Sequence, residues 1–204
     1  MMRASRRAGR CLLLVAILIP AACSRAAAPA SADAPQLRPP DLTGASVMVL
    51  PAQHAPGGTT GEPVAGLDRE IAYWLAEQAP RVRWVFPQAI ASALARNPAI
   101  NVRIDALAVQ SFHRAEVKNI GDPLFGDLRS IGALVDARFA LVPVAAAWVA
   151  DGRGSGRAEV RAALIDTLGG RVLWTGTIAG DPGAEGSPAV AASAARALAR
   201  LLAS

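Results

Sequence analysis

The side chains able to do chemistry in this sequence are few and poorly grouped. Its two histidines, His54 and His113, lie far apart, with no HxxxH or HExxH spacing between them. They read as exposed loop residues rather than metal ligands. Gly152-x-Gly154-x-Gly156 has the look of a phosphate-cradling loop, but such a loop needs a helix behind it, and here a strand pattern follows. The triplet therefore reads as a hairpin turn. No G-x-S-x-G occurs, and no serine has an obvious base beside it. Asp122, Asp127 and Asp136 fall along one helical stretch. Asp122 suits a cap and Asp136 a helix end. General acid–base work would need two carboxyls with perturbed affinities in a cleft. No catalytic residue, metal site or cofactor site is expected, and the chain reads as a non-enzyme.

The cysteines carry more. There are two, Cys11 and Cys23. Arg3, Arg6, Arg7 and Arg10 make a positive start, and the apolar run CLLLVAILI follows at residues 11–19. That run is too short to span a bilayer, which takes about 20 residues, and fits the apolar segment of a signal peptide. Pro20, Ala21 and Ala22 then lead to Cys23. The arrangement resembles the lipobox of bacterial lipoproteins, in which small residues admit a peptidase before a lipid-modified cysteine. One position departs from that pattern: the third residue before the cysteine, usually Leu, is Pro20. The resemblance implies a signal peptide over residues 1–22, lipid on Cys23 and attachment to a membrane. Ser24, where an Asp would signal retention, implies the outer membrane with the domain facing the periplasm. An ordinary secretory signal cut after Ala30-Ser31-Ala32 is the alternative.

Charge supports removal of the leader. Four of the 21 basic residues lie in it and none of the 16 acids does, so cleavage before Cys23 lowers the net formal charge from +5 to +1. The high isoelectric point, near 10.5, owes much to a segment that would be discarded. No basic block survives to follow a phosphate backbone, so nucleic acid is not an expected partner. Cys23 would also be the only thiol left, which excludes an internal disulfide.

The remaining chain must position whatever the domain uses. Residues 23–44, rich in Ala, Pro and Ser, read as the lipidated cysteine and a flexible linker. A globular domain is expected over 45–204. Ser46–Pro51 reads as a buried strand, and a Gly/Pro/Thr loop runs from His54 to Gly66. Leu67–Ala79 has helical periodicity, with Leu67, Ile71, Trp74, Leu75 and Gln78 on one face. Arg81–Phe86 reads as a strand and Pro87–Asn97 as a helix with Ile90 and Leu94 inward. Within the ambiguous stretch 99–121, Leu107–Phe112 has the composition of a strand. Asp122-Pro123 fits an N-cap and first helical residue, with a helix to Asp136 burying Leu124, Leu128, Ile131, Leu134 and Val135.

Phe139–Ala150 reads as a long apolar strand, Arg157–Thr167 alternates, and Gly169-Gly170 turns it into Arg171–Gly180; the three read as an antiparallel meander. In the second turn, Asp166 is placed to cap, and Gly169 and Gly170 to take positive φ. Trp174 should pack on the sheet. Ser187-Pro188 opens a last helix, Ala189–Ala203, with Val190, Ala194, Ala197, Leu198 and Leu201 inward. The fold class expected is α/β: a single domain, a mixed sheet with a C-terminal antiparallel meander, covered by helices.

Three stretches carry a family likeness: Leu67-Asp68-Arg69 opening a helix, the strand Arg138-Phe-Ala-Leu-Val-Pro-Val144, and the hairpin from Ala163 through Asp166, Gly170 and Trp174 to Gly176. They resemble a group of bacterial envelope lipoproteins. The group comprises the curli secretion lipoprotein, the lipoprotein activator of penicillin-binding proteins, and the TolB amino-terminal domain. The likeness implies a partner among envelope proteins and carries over no catalytic residue. Its curli member implies, as an alternative, a subunit of a self-assembling ring. A secreted ligand-binding or hydrolytic domain is the third reading. Among the aromatics, Tyr73 and Trp74 are adjacent on a helix and point about 100° apart. They are not expected to be buried together, and are the candidate partner surface.

Overall fold

The computed structural model describes residues 38–53, 64–113, 117–152 and 154–203. The leader, Cys23, most of the linker and His54 lie outside these residues. In chain order the elements are β1 (Ser46–Val49), α1 (Leu67–Gln78), β2 (Arg83–Val85) and α2 (Pro87–Ala95), then a short 3₁₀ turn (Gln110–His113). They continue with α3 (Leu124–Val135), β3 (Phe139–Ala150), β4 (Gly156–Asp166), β5 (Val172–Ala179) and α4 (Pro188–Leu202). The five strands make one mixed sheet in the order β2-β1-β3-β4-β5. β1 runs parallel to both β2 and β3, while β3, β4 and β5 form the antiparallel meander. The expected α/β class and its C-terminal meander are thus observed in a single mixed domain.

Strand alternation divides the core into two layers. Val47, Val49, Leu141, Ala158, Val160 and Leu164 turn to one face, where Ile71 and Leu75 of α1 and Ala194 and Leu198 of α4 cover them. Met48, Leu50, Ala140, Val142, Ala163 and Ile165 turn to the other, under Ile90 of α2 and Leu124, Leu128 and Ile131 of α3. Both faces of the sheet are therefore dry, which is why β1 and the first half of β3 read as unbroken apolar runs. No helix among the described residues is long and apolar enough to cross a membrane.

Several local expectations change. Leu107–Phe112 is not a strand: it folds into a connection ending in the 3₁₀ turn, with Leu107, Val109 and Phe112 buried. Its apolar residues match a strand because both kinds of segment must hide the same side chains. Its main-chain groups are satisfied differently. Buried Gln53 receives the Leu107 N–H at 2.8 Å and donates its side-chain amide to Ile104 O at 2.9 Å and Pro51 O at 2.7 Å. One buried amide thus does what a neighbouring strand would do.

On α1 the buried ladder is Leu67, Ile71 and Leu75, continued by Ala79 past the helix end. Gln78 is exposed, because successive four-residue steps carry the stripe past it. On α4, Ala197 and Leu201 are half-buried, while Ala191, Ala195, Ala199 and Leu202 are buried. Alanines let α4 lie close to its neighbours, so its inward face is broader than the large side chains alone indicate. α3 begins at Leu124, with Pro123 as its N-cap rather than its first residue. Asp122 still caps, accepting the Gly126 N–H at 3.1 Å. Leu134 and Val135 are half-buried.

In the β4–β5 turn, Asp166 accepts the Leu168 N–H at 3.0 Å, as a capping carboxylate should. Gly170 has φ of 67° and Gly169 does not take a positive φ. Trp174 is buried, and Gly176 leaves room for its ring: a Cβ there would stand 2.4 Å from Trp174 Cζ2. Leu42, read from sequence as linker, is buried at 2% exposure in the layer shared by α1 and α4.

Candidate interaction site

α1 and α4 lie side by side on the same face of the sheet, and their outer surface holds the aromatic pair singled out from sequence. Tyr73 and Trp74 are consecutive on α1, so the two rings leave the helix in directions about 100° apart. Trp74 turns toward α4 and is half-buried, whereas Tyr73 stays in solvent at 56% exposure. The rings meet edge to face, with centroids 5.2 Å apart and planes at 82°, the arrangement their quadrupoles favour.

α4 completes the cluster with residues that the sequence reading passed over. The Arg196 guanidinium lies over the Trp74 ring, 5.5 Å from its centroid. At that range the ring face attracts the cation. Arg196 also reaches Asp181, at 3.4 Å, in the connection leading into α4. Both of those side chains are well exposed, so the ion pair contributes little stability. Its effect is to hold Arg196 across the ring. The helical pattern of α4 places Arg196 beside the apolar stripe, but nothing in the sequence says that Trp74 is what it covers.

The connection is drawn tightly onto α4. The Asp181 N–H donates to Ser193 Oγ at 2.8 Å, and that hydroxyl donates to Val190 O at 2.9 Å. Gly180 permits the approach, since a Cβ there would stand 2.5 Å from Ser193 Oγ. Between the connection and the helix a cleft of about 260 Å³ remains, lined by Trp74, Asp181, Pro182, Val190, Ser193 and Arg196. The Trp74 indole N–H is buried beside it without an acceptor among the described residues. An apolar wall, an unmet donor and a fixed cation–anion pair suit a protruding side chain of a partner. The cleft is smaller than the roughly 300–1,000 Å³ of most small-molecule sites.

The remaining candidates stay apart from this surface. His113 ends the 3₁₀ turn and is exposed. Gly152 and Gly154 both take φ of 79° in the β3–β4 turn, the hairpin geometry expected of them. Burial raises the Asp127 carboxyl above its ordinary value, and the negative charge of Asp122 adds to the effect. The two acids sit at the exposed start of α3 rather than in a cleft. Asp136, in the left-handed conformation just past α3, pairs with Arg83 at 2.7 Å. No group of three metal-ligating side chains occurs among the described residues.

No protein-family model and no curated protein sequence matches the chain. Solved structures do. The PelC dodecamer from Paraburkholderia phytofirmans is 19% identical, over 83% of this chain and 95% of that one, with a TM-score of 0.41. The LpoB C-terminal domain from Salmonella enterica is 12% identical over 71% and 85%, with a TM-score of 0.41. Lipoprotein GNA1162 from Neisseria meningitidis is 18% identical over 70% and 82%, with a TM-score of 0.37. Likenesses this distant assign no function.

Proposed function

We propose that this chain is a lipid-anchored, non-enzymatic lipoprotein of the bacterial envelope that recruits or regulates another envelope protein. In this reading residues 1–22 are the signal peptide, Cys23 carries the lipid, the residues between Cys23 and the folded domain are the tether, and that domain faces the periplasm from the outer membrane. Two or three acyl chains, at about 0.8 kcal/mol for each buried methylene, hold such a domain on the membrane. The observation that supports a docking role is the Tyr73–Trp74–Arg196 cluster. Tyr, Trp and Arg are the residue types that most often dominate protein interfaces. Here they stand together, with Tyr73 presented to solvent and Trp74 already held by Arg196. Little side-chain freedom would be lost when Trp74 meets a partner.

A photoreactive amino acid at position 73 tests the surface in intact cells. The comparison position is Leu168, which is 67% exposed and sits on the β4–β5 turn. The expected result is one discrete heavier adduct from position 73, none from 168, and loss of that adduct in the Arg196→Ala chain. Equal labelling from both positions, or none from 73, would sink the docking reading. Mass spectrometry of the processed amino terminus tests the anchor separately: an acylated Cys23 is expected, and a free terminus at Asp33 would replace lipoprotein with plain secretion.

A further inference from the structure

The two ends of the sheet carry opposite charge. At one end β1, β2 and β3 begin and β4 gives way to β5. Ser46 stands beside Arg83, Val47 beside Phe139, and Phe139 opposite Asp166. The chain enters the domain here, with Leu42 buried and the Gly44 N–H donating to Arg81 O at 3.0 Å. At the far end the β3–β4 turn meets the connection into α4, where the Gly156 N–H donates to Gly183 O at 3.0 Å. The start of α1 lies there too, since Asp68 accepts the Ala52 N–H, just past the end of β1, at 2.8 Å.

The entry end is built from residues 80–83, 136–138 and 166–171, joined by 118–119 through the bridge of Asn119 to Arg171. These segments hold Arg81, Arg83, Lys118, Arg138 and Arg171 against Asp136 and Asp166, a net formal charge of +3. All five basic residues are exposed. Asp136 pairs with Arg83 at 2.7 Å and Asp166 with Arg138 at 3.5 Å, which leaves Arg81, Lys118 and Arg171 in excess. At the far end, residues 64–70, 151–156 and 180–187 hold five acids against two arginines, a net of −3. Residues 23–204 together carry only +1, so this separation comes from placement rather than composition.

Leu168 stands among the basic residues, at the tip of the β4–β5 turn. A lone exposed leucine needs no explanation in itself. This one is held out by its turn. Its N–H donates to Asp166 Oδ1 at 3.0 Å, and Thr167 before it is tied to Arg138 O through its N–H at 2.9 Å and its hydroxyl at 2.8 Å.

We propose that this end of the domain rests on an anionic phospholipid surface, with Leu168 entering the headgroup layer and the surrounding basic side chains meeting lipid phosphates. The inference rests on the lipoprotein reading, because a tether running from Cys23 joins the domain at this end. Lipid on Cys23 then brings the basic end to the bilayer and leaves the acidic end away from it. Attraction of Lys and Arg to an anionic surface fades within a Debye length, so the charges that count are those the tether holds close. An apolar tip among cations matches a membrane boundary, where apolar groups enter the acyl margin and cations stay with phosphate. An acidic protein face would satisfy the cations but set Leu168 against charge. A photoreactive group at 168 accordingly meets lipid and gives no protein adduct.

The acylated full chain, reconstituted in vesicles, tests this orientation. With Cys11 removed in the leader and Cys23 acylated, an environment-sensitive fluorophore goes onto one new thiol, in Leu168→Cys or in Ala184→Cys at the far end. The vesicles are phosphatidylethanolamine with one part in four phosphatidylglycerol, or phosphatidylcholine alone, each carrying a headgroup nitroxide as quencher. In the anionic vesicles, quenching at 168 should exceed that at 184 by about threefold or more, and the excess should vanish at high salt. The combined variant Arg81→Gln, Lys118→Gln, Arg171→Gln should lose the excess too, with an unchanged thermal melt and full flotation on its acyl chains. Equal quenching at the two positions in anionic vesicles would overturn the proposal. So would an excess that the combined variant keeps, an equal excess in phosphatidylcholine, or shielding of 168 that appears only when another envelope protein is added. A chain that does not float with either vesicle removes the anchor itself, and the orientation with it.

Discussion

On one face of the sheet, α1 and α4 bury an evenly spaced ladder: Leu67, Ile71 and Leu75 against Val190, Ala194 and Leu198. On the other face, α2 and α3 share the work with an irregular connection that contributes Leu107, Val109 and Phe112. Both layers bury a cluster of apolar side chains. They differ in how the backbone is satisfied. Helices close their own hydrogen bonds, so the first layer needs only the right apolar spacing. The irregular connection cannot, and depends on Gln53 from a distant part of the chain. Regular and irregular segments thus bury the same kinds of side chain, but only the regular one is autonomous.

Large buried side chains in each layer put that contrast to its hardest test. Phe112→Ala should cost about 3–5 kcal/mol and Leu75→Ala about 2–5 kcal/mol, measured by urea unfolding. A Phe112 value under about 1 kcal/mol would mean that the irregular layer is loosely packed after all. Gln53→Ala should cost about 1–3 kcal/mol, because it leaves the Leu107 N–H and the Ile104 carbonyl without a partner in a buried setting. Hydrogen exchange sharpens this one: Leu107 should lose protection while the amides of α1 keep theirs. A uniform loss across both layers would show that Gln53 supports the whole fold rather than the connection.

The next effect is at the junction of α3 with the β4–β5 turn. A Cβ on Gly132 would stand 2.8 Å from Ala137 O and 3.0 Å from Thr167 Oγ1. Neither neighbour is free to withdraw, since Thr167 Oγ1 donates to Arg138 O at 2.8 Å. Gly132→Ala should therefore destabilise by about 1–3 kcal/mol despite its better helix propensity. The smallest effect belongs to the exposed side of the regular layer. Tyr73→Ala should change stability by no more than about 0.5 kcal/mol. Crosslinking to a partner from a neighbouring position on α1 should nevertheless fall sharply in that variant. A large loss of stability would make Tyr73 a packing residue and remove it from the docking surface.

The legibility of the fold follows the same division. The meander from Phe139 to Ala179 is readable because a long apolar run, the alternation that follows it, two glycine-marked turns and a tryptophan all favour one arrangement. The helices are readable by their apolar stripes to within a few residues at each end. The stretch between α2 and α3 is not, because its buried side chains follow no period and its hydrogen-bond acceptor lies at Gln53. The candidate site is half legible. Adjacent aromatics on one helix point about 100° apart and are not expected to be buried together, which singles out Tyr73 and Trp74. Arg196 and Asp181 join them only because α4 packs beside α1.

By itself, then, the sequence determined what depends on neighbours along the chain: the apolar run at residues 11–19 and the small residues before Cys23, the strand and helix periods, the hairpin turns, and the near-neutral charge of residues 23–204. Tertiary structure alone decided what depends on neighbours in space. It placed Arg196 over Trp74 and put Gln53 into the irregular layer. The physical reason is the range of the forces concerned. Backbone hydrogen bonding and side-chain periodicity act over a few residues, whereas a cation over a ring or a borrowed amide exists only after distant segments have packed.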